Sequence, residues 1–211
     1  MRGSSDGALR ARVALMLCAA LVGLGSWLAV RGHTQPRLDR IAFDLLALPT
    51  SGWAADAASS VVDIAEVVLA ACAVGVIGFL LVRRAWRDCI VIVIGVIASQ
   101  TAAHIAKSAI ARPRPTHGLV PAGGYSFPST TSALGVSFLF MAIALARVVP
   151  QRYRRMTVSA GAAITLVLGL SFVALRVHYL TDVLAGWALG LLVFVACETA
   201  ASAISEPRIG R

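Results

Sequence analysis

Three short stretches of this chain hold side chains that could do chemistry together. The first is Lys107-Ser108-Ala109-Ile110-Ala111-Arg112-Pro113-Arg114-Pro115, and the second is Gly123-Gly124-Tyr125-Ser126-Phe127-Pro128-Ser129-Thr130-Thr131. The third runs from Ser171-Phe172 to Arg176-Val177-His178-Tyr179-Leu180-Thr181-Asp182. Cations beside a helix N-terminus make an anion site, because unpaired N–H groups and the helix dipole both favour negative charge. A histidine four residues before an aspartate sets a nucleophile or base beside a carboxylate that can orient it. Together these residues suggest phosphoryl chemistry without a metal. Cys18, Cys72, Cys89 and Cys197 are far apart in sequence and show no metal-ligand spacing; each lies in or beside an apolar stretch and reads as a small packing residue. No cofactor is implied.

The order of these residues resembles the type 2 phosphatidic acid phosphatase family of membrane lipid phosphatases. That family's signature has three parts: K-x6-R-P, P-S-G-H and S-R-x5-H-x3-D. Lys107 with Arg114-Pro115 matches the first part, Pro128-Ser129 matches half of the second, and Ser171, His178 and Asp182 match three of the four positions in the third. The resemblance covers about residues 60–203. It implies that His178 is the nucleophile and forms a phosphohistidine. Asp182 would fix its tautomer and stabilise its charge. Lys107 and Arg114 would bind phosphoryl oxygens, Arg114 in a two-pronged fashion. Ser129, with Thr130 and Thr131 at the same helix start, would add hydrogen bonds, and Arg112 is a further phosphate or headgroup contact. Two positions depart from the pattern: Thr131 stands where the family has its general-acid histidine, and Phe172 stands where it has a phosphate-binding arginine. Arg176, one helical turn beyond Phe172 if that helix continues, is a candidate replacement for the arginine. His104 and His117 are candidate stand-ins for the acid.

These residues need elements to position them, and the composition says which. The chain has 211 residues, 58% hydrophobic and only 14% charged, where a soluble domain carries about 25% charged residues. Spans of roughly 20 apolar residues run from about Val13 to Val30, Val61 to Val82, Cys89 to Ala106, Thr131 to Ala146, Thr157 to Leu175 and Asp182 to Ala203. The first is long for a signal peptide and has no clean small-x-small cleavage site, so it reads as a retained helix. No alternating ten-residue segments suggest a β-barrel. The expected fold is all-α: a bundle of six transmembrane helices forming one membrane domain over residues 1–211.

With six spans both termini share a side. Arg2, Arg10, Arg12, Arg83, Arg84, Arg87, Arg147, Arg152, Arg154, Arg155, Arg208 and Arg211 fall on it, against Arg31, Arg37, Arg40, Lys107, Arg112, Arg114 and Arg176 on the other. The richer side should be cytoplasmic, which puts the termini inside and the candidate site outside the membrane, expected to be a bacterial plasma membrane. The formal charge of +9 is therefore topology. Nucleic-acid binding is excluded, since no recognition motif accompanies the charge. The expected partners are the bilayer and a lipid phosphate, and nothing in the sequence specifies an oligomeric state. Residues 33–57 form an outer segment, in which Leu38, Ile41, Leu45 and Leu46 make an apolar stripe between Pro36 and Pro49. It fits either an amphipathic helix lying in the membrane interface or a helix packed on the outer end of the bundle. Asp63 and Glu66 read as interfacial or paired with outer arginines, Glu198 as remote from the site, Gly123-Gly124 as loop punctuation, and Trp27, Trp53, Trp86 and Trp187 as interface or packing residues.

Thr131 and Phe172 divide two functional readings. One is a phosphatase for an isoprenoid or other lipid (di)phosphate. The other is a family member that binds a lipid phosphate, or helps translocate it, without hydrolysis. Loss of the acid matters in proportion to the basicity of the leaving oxygen. An alkoxide needs that proton, whereas a phosphate ester leaving from a diphosphate, with a second pKa of about 6, needs little help. Restoring the acid with Thr131→His should therefore raise lipid monophosphate turnover by about 10²-fold or more and diphosphate turnover far less, measured as phosphate release from both substrates. Equal acceleration of the two would overturn the leaving-group argument.

Overall fold

The computed structural model describes residues 2–31 and 35–205. Arg208 and Arg211 of the charge count lie outside the described residues, as do His33 and Thr34 of the outer segment and the side chain of Arg2. The described residues form seven helices: α1 Arg2–Arg31, α2 Arg37–Leu46, α3 Trp53–Val82, α4 Trp86–Ile110, α5 Thr130–Val148, α6 Gln151–Ala174 and α7 Leu180–Ser205. All but α2 contain a stretch long and apolar enough to cross a membrane, so the six expected spans are present; α1, α3 and α6 begin six to eleven residues before the sequence reading, at Arg2, Trp53 and Gln151, and the other ends lie within four residues of it.

Half of the apolar window of α5 and of α7 is buried, against 6% of that of α3, so α5 and α7 form the centre and α3 a peripheral wall. Close approach at the centre depends on small residues, as it does in membrane bundles generally. A Cβ on Gly186 of α7 would fall 2.4 Å from the Ser129 carbonyl oxygen, and one on Gly190 would fall 2.9 Å from that of Ala133. Gly95 of α4 makes room for Phe194, which stacks on Phe140 with ring centroids 4.7 Å apart. Trp187 is packed in this interior, while Trp53 and Trp86 are exposed.

The end of the bundle away from the candidate site is tied by two buried carboxylates, Asp88 and Glu198, and the partly exposed arginines that pair with them. Arg87 donates to Glu198 Oε2 (2.9 Å) and to Ser202 (2.9 Å), and Arg147 pairs with both Asp88 and Glu198. Arg12 reaches Ser202 from α1 (3.2 Å). Glu198 is thus a joint between α4, α5 and α7, remote from the site as expected. Burying a charge is costly unless it is paired, so the network fixes the register of these helices at that end.

At the other end, three local features set where the loops go. Ala111 ends α4 in the left-handed region (φ 53°), donating its N–H to Lys107 O at 3.0 Å, and Pro113 and Pro115 follow, which cannot continue a helix. Ser129 caps α5, its Oγ accepting from the Ser132 N–H (3.2 Å). Finally, α6 stops at Ala174, and Arg176 turns left-handed (φ 58°), so the helix does not continue to Arg176.

The outer helix α2 is oriented the other way round from a helix that docks by its apolar stripe. Leu38, Ile41, Leu45 and Leu46 are all exposed, Leu45 by 78%. The buried residues are Asp39 and Ala42, with Phe43 against Tyr179 (ring centroids 5.4 Å). The helix therefore packs on α6 and α7 through a polar anchor and presents its apolar side outward.

Candidate active site

His178 is placed by the turn that follows α6. The N–H groups of Val177 and His178 both donate to Phe172 O (2.9 and 3.1 Å), folding the chain back on the helix end and dropping the imidazole inside, where it is 2% exposed. Asp182 lies in the first turn of α7 and is fully buried. Its Oδ2 accepts the Tyr179 N–H at 2.9 Å, half of a capping box that satisfies an otherwise unpaired donor. The same Oδ2 lies 3.5 Å from His178 Nδ1. That is long for a hydrogen bond, and the buried Nδ1 has no nearer partner.

The other ring nitrogen settles the tautomer. His178 Nε2 lies 3.3 Å from Arg114 Nη1. A guanidinium has donors only, so Nε2 presents its lone pair and the ring proton sits on Nδ1, facing Asp182. Burial pushes the imidazole below the ordinary histidine range. Asp182 pulls it back up, and the positive charges of Arg114 and Lys107 push it down again. The ring is neutral at neutral pH, with its lone pair towards cations.

Arg114 is held by carbonyls. Its Nε donates to Gly123 O (3.1 Å) and Gly124 O (3.2 Å), Nη2 to Gly123 O (2.9 Å), and Nη1 to Val177 O (3.1 Å). The glycine pair is thus more than punctuation: it is a cradle for the guanidinium, with Gly124 at a φ of 68° that favours glycine. Lys107 lies in the last turn of α4, half-buried, and its charge acts on His178. Ser129 is fully buried, and its backbone N–H donates to Asp182 O at 3.0 Å, which ties the start of α5 to the start of α7. Its Oγ also accepts from the Ser132 hydroxyl (2.9 Å). Lys107, Arg114, Ser129, His178 and Asp182 therefore come together at one end of the bundle.

Two candidates are placed elsewhere. Arg112 does not face a phosphate position. Its Nη1 donates to Asp182 Oδ1 (2.5 Å) and Thr181 Oγ1 (2.8 Å), its Nη2 donates to Asp39 Oδ2 (2.8 Å), and its guanidinium stacks 3.9 Å from the Tyr179 ring centroid. Two buried carboxylates already hold that charge. Arg176 does not replace the missing arginine. Because α6 has ended, its side chain is not on the Phe172 face, and its Nε donates to Leu48 O at 3.1 Å. The Thr130 carbonyl accepts from Gln100 (3.1 Å). His104 and His117 are exposed, and neither hydrogen-bonds a site residue among the described residues. Asp63 and Glu66 are exposed and form no ion pair among the described residues.

A cavity of about 640 Å³ runs between α3 and the faces of α4, α5 and α6. Its walls include Leu69, Ile97, Leu134 and Met141, with Glu66 also on the lining; Thr131, Ser171 and Phe172 lie along the same cavity. Phe172 turns its ring towards His178, edge-on, with centroids 6.1 Å apart. Both positions that depart from the family signature thus line one apolar cavity, which Phe172 connects to the imidazole. Among the described residues no group of three or more His, Cys, Asp or Glu could hold a metal ion.

The residue missed in sequence is Asp39, fully buried on α2. It accepts from the Thr181 N–H (2.8 Å) and hydroxyl (2.9 Å) as well as from Arg112. Its only signal was a carboxylate on the polar side of an amphipathic stripe, which ordinarily means solvent.

Comparison with known proteins agrees with this architecture. In fold the chain is similar to the crystal structure of the first transmembrane PAP2 type phosphatidylglycerolphosphate phosphatase from Bacillus subtilis, at 22% identity and a TM-score of 0.60, over 93% of this chain and 98% of that one. No curated protein sequence matches significantly. A family model described as PAP2 superfamily matches residues 88–204, a span that contains Lys107, Arg114, Ser129, His178 and Asp182 and more than half of the chain, and the protein is accordingly a six-span membrane member of the PAP2 superfamily.

Proposed function

We propose that the chain is a lipid-phosphate phosphatase that uses His178 as nucleophile, acting at the extracytoplasmic face on an isoprenoid or other lipid diphosphate. The observation that carries this reading is the lone pair of a buried, neutral imidazole aimed at Arg114, 3.3 Å away. An entering phosphoryl group displaces Arg114 from this direct contact, so that Nε2 faces phosphorus and the guanidinium turns to a phosphoryl oxygen. Lys107 and Arg114 meet its oxygens, and the Ser129 hydroxyl adds a donor. Nε2 attacks phosphorus, the P–O bond to the leaving group breaks, and the leaving oxygen takes the electron pair. The Nδ1 proton stays on the ring, and Asp182 offsets the positive charge that the phosphorylated imidazole acquires. Water then attacks phosphorus, and phosphate departs as the Nε2 lone pair is restored.

No side chain at residue 131 can protonate the leaving oxygen, which supports a diphosphate, whose leaving phosphate ester is weakly basic. The cavity supports a lipid. It is mostly apolar, of ordinary ligand size, and is lined at one end by Thr131 and Phe172, where the family signature has two polar groups; the Phe172 ring stands between it and His178, 6.1 Å from the imidazole. A hydrocarbon tail can thus approach the imidazole without stranding a charge.

The positive-inside distribution of arginines supports an extracytoplasmic site. With His117→Cys and Arg152→Cys in otherwise cysteine-free protein, an impermeant thiol reagent should label the first from outside intact cells and the second only after permeabilisation. The reverse pattern would place the site in the cytoplasm. The activity itself is tested by phosphate release from purified lipid mono- and diphosphates. Turnover of a diphosphate is expected in the wild type and its loss, by about 10³-fold or more, in His178→Ala. No turnover of any substrate, together with retained lipid-phosphate binding, would favour the non-hydrolytic reading.

A further inference from the structure

The catalytic carboxylate is not held by its own helix alone. Arg112 lies between two fully buried carboxylates, Asp182 of α7 and Asp39 of α2, at 2.5 and 2.8 Å. Asp39 belongs to no motif and sits on a ten-residue helix outside the spans, yet it makes three hydrogen bonds, to the Thr181 N–H, the Thr181 hydroxyl and Arg112. A solvent-facing position would have sufficed for a merely soluble helix face, and burying an anion is costly unless it is paired. Every bond Asp39 makes goes to Arg112 or to Thr181, the residue preceding Asp182.

We propose that Asp39 is a positioning residue for the reaction, acting through Arg112 on Asp182 and so on His178. The proposal rests on the phosphatase reading of the site. Three groups of alternating charge, Asp39–Arg112–Asp182, end beside the neutral imidazole of His178. With Asp39 present, Arg112 is shared between two anions, and Asp182 keeps enough negative charge to attract the Nδ1 proton. Without Asp39, the whole charge of Arg112 falls on Asp182 and its hold on the imidazole weakens. The other groups facing His178 are Lys107 of α4 and Arg114 of the following loop, both positive, with Tyr179 at the head of α7 and Phe172 of α6, which carries no charge. Burial raises the Tyr179 phenol, so it stays neutral over the range in which histidine titrates. Arg176, at the end of α6, is turned away to Leu48.

This series of charges also gives the outer helix a mechanical role. Because α2 shows Leu38, Ile41 and Leu45 outward while Asp39 points in, the seating of its apolar side and the geometry at Asp182 are two faces of one rigid ten-residue element.

The test is a set of charge changes with opposite expected signs, made in the full-length protein in detergent. His178 must be neutral to attack, so turnover falls as pH drops through its pKa. Asp39→Asn removes a negative charge and should lower that midpoint by about 0.5–1 pH unit, with kcat down about tenfold and KM little changed. Arg112→Gln removes a positive charge and should raise the midpoint by a similar amount. The double variant should return it close to the wild-type position. A purely structural role for Asp39 would lower thermal stability without moving the midpoint in opposite directions. The same midpoints are read without substrate from the ¹⁵N chemical shifts of labelled histidine, with His178→Ala identifying the signal. If the wild type turns over nothing, the phosphatase reading falls and this titration still decides the relay. If either folded single variant leaves the His178 midpoint unmoved, the relay is overturned. Should Asp39→Asn fail to accumulate, Arg112→Gln alone carries the test, since an upward shift supports the relay and none rejects it.

Discussion

The site depends on a single buried anion. Asp182 has no exposed surface, and it is held from four directions: Arg112 on Oδ1, the Tyr179 N–H on Oδ2, the Ser129 N–H on its carbonyl, and the His178 ring beside Oδ2. An ionised carboxylate in such a place is strongly unfavourable unless compensated. The compensation is also what brings the elements together. Arg112 fixes the loop after α4, Ser129 fixes the start of α5, Tyr179 fixes the start of α7, and Asp39 draws in α2. Glycine at residue 186 lets α5 and α7 approach closely enough for the Ser129 contact. The cluster of Asp39, Asp182 and Arg112 carries one net negative charge, which suits a phosphorylated imidazole. Lys107 and Arg114, on the other side of the ring, suit the phosphoryl oxygens.

Much of this was legible in the sequence, for physical reasons. Apolar runs of span length have few folds open to them, because every backbone group in lipid must be satisfied internally. The six spans follow from that alone. The spacings Lys107 to Arg114 and His178 to Asp182 are local, so they survive whatever the tertiary structure does. What the sequence hid was long-range. Arg112 and Arg114 are two residues apart and chemically identical, yet one pairs with two carboxylates while the other meets His178. Only the left-handed Ala111 and the prolines around them decide which goes where. Arg176 fitted a helical face that ends two residues earlier at Ala174. Asp39 belongs to an amphipathic helix whose polar side is the buried one, an inversion that makes sense only where the exterior is apolar.

The two departures from the family signature take on a shared meaning in three dimensions. Thr131 and Phe172 come from different helices, and both line the same apolar cavity. Singly, each is a lost catalytic group. Together they line the end of the apolar cavity nearest His178, with the Phe172 ring 6.1 Å from the imidazole. They leave His178, the proposed nucleophile, together with Asp182, Lys107 and Arg114 in place. The proposed chemistry, in which the leaving group needs no proton, is the one compatible with such a change.

The central claim is that the neutral Nε2 of His178 bonds covalently to phosphorus, and the most direct measurement is to trap that bond. Protein mixed with a polyprenyl diphosphate labelled with ³²P at the terminal (β) phosphorus, quenched in alkali within milliseconds and digested, should yield label on the peptide containing His178. That label should be stable to base and lost in acid, as a phosphoramidate is, and it should be absent from His178→Ala. Phosphate release with no label on His178, or label on a serine or threonine instead, would contradict the account.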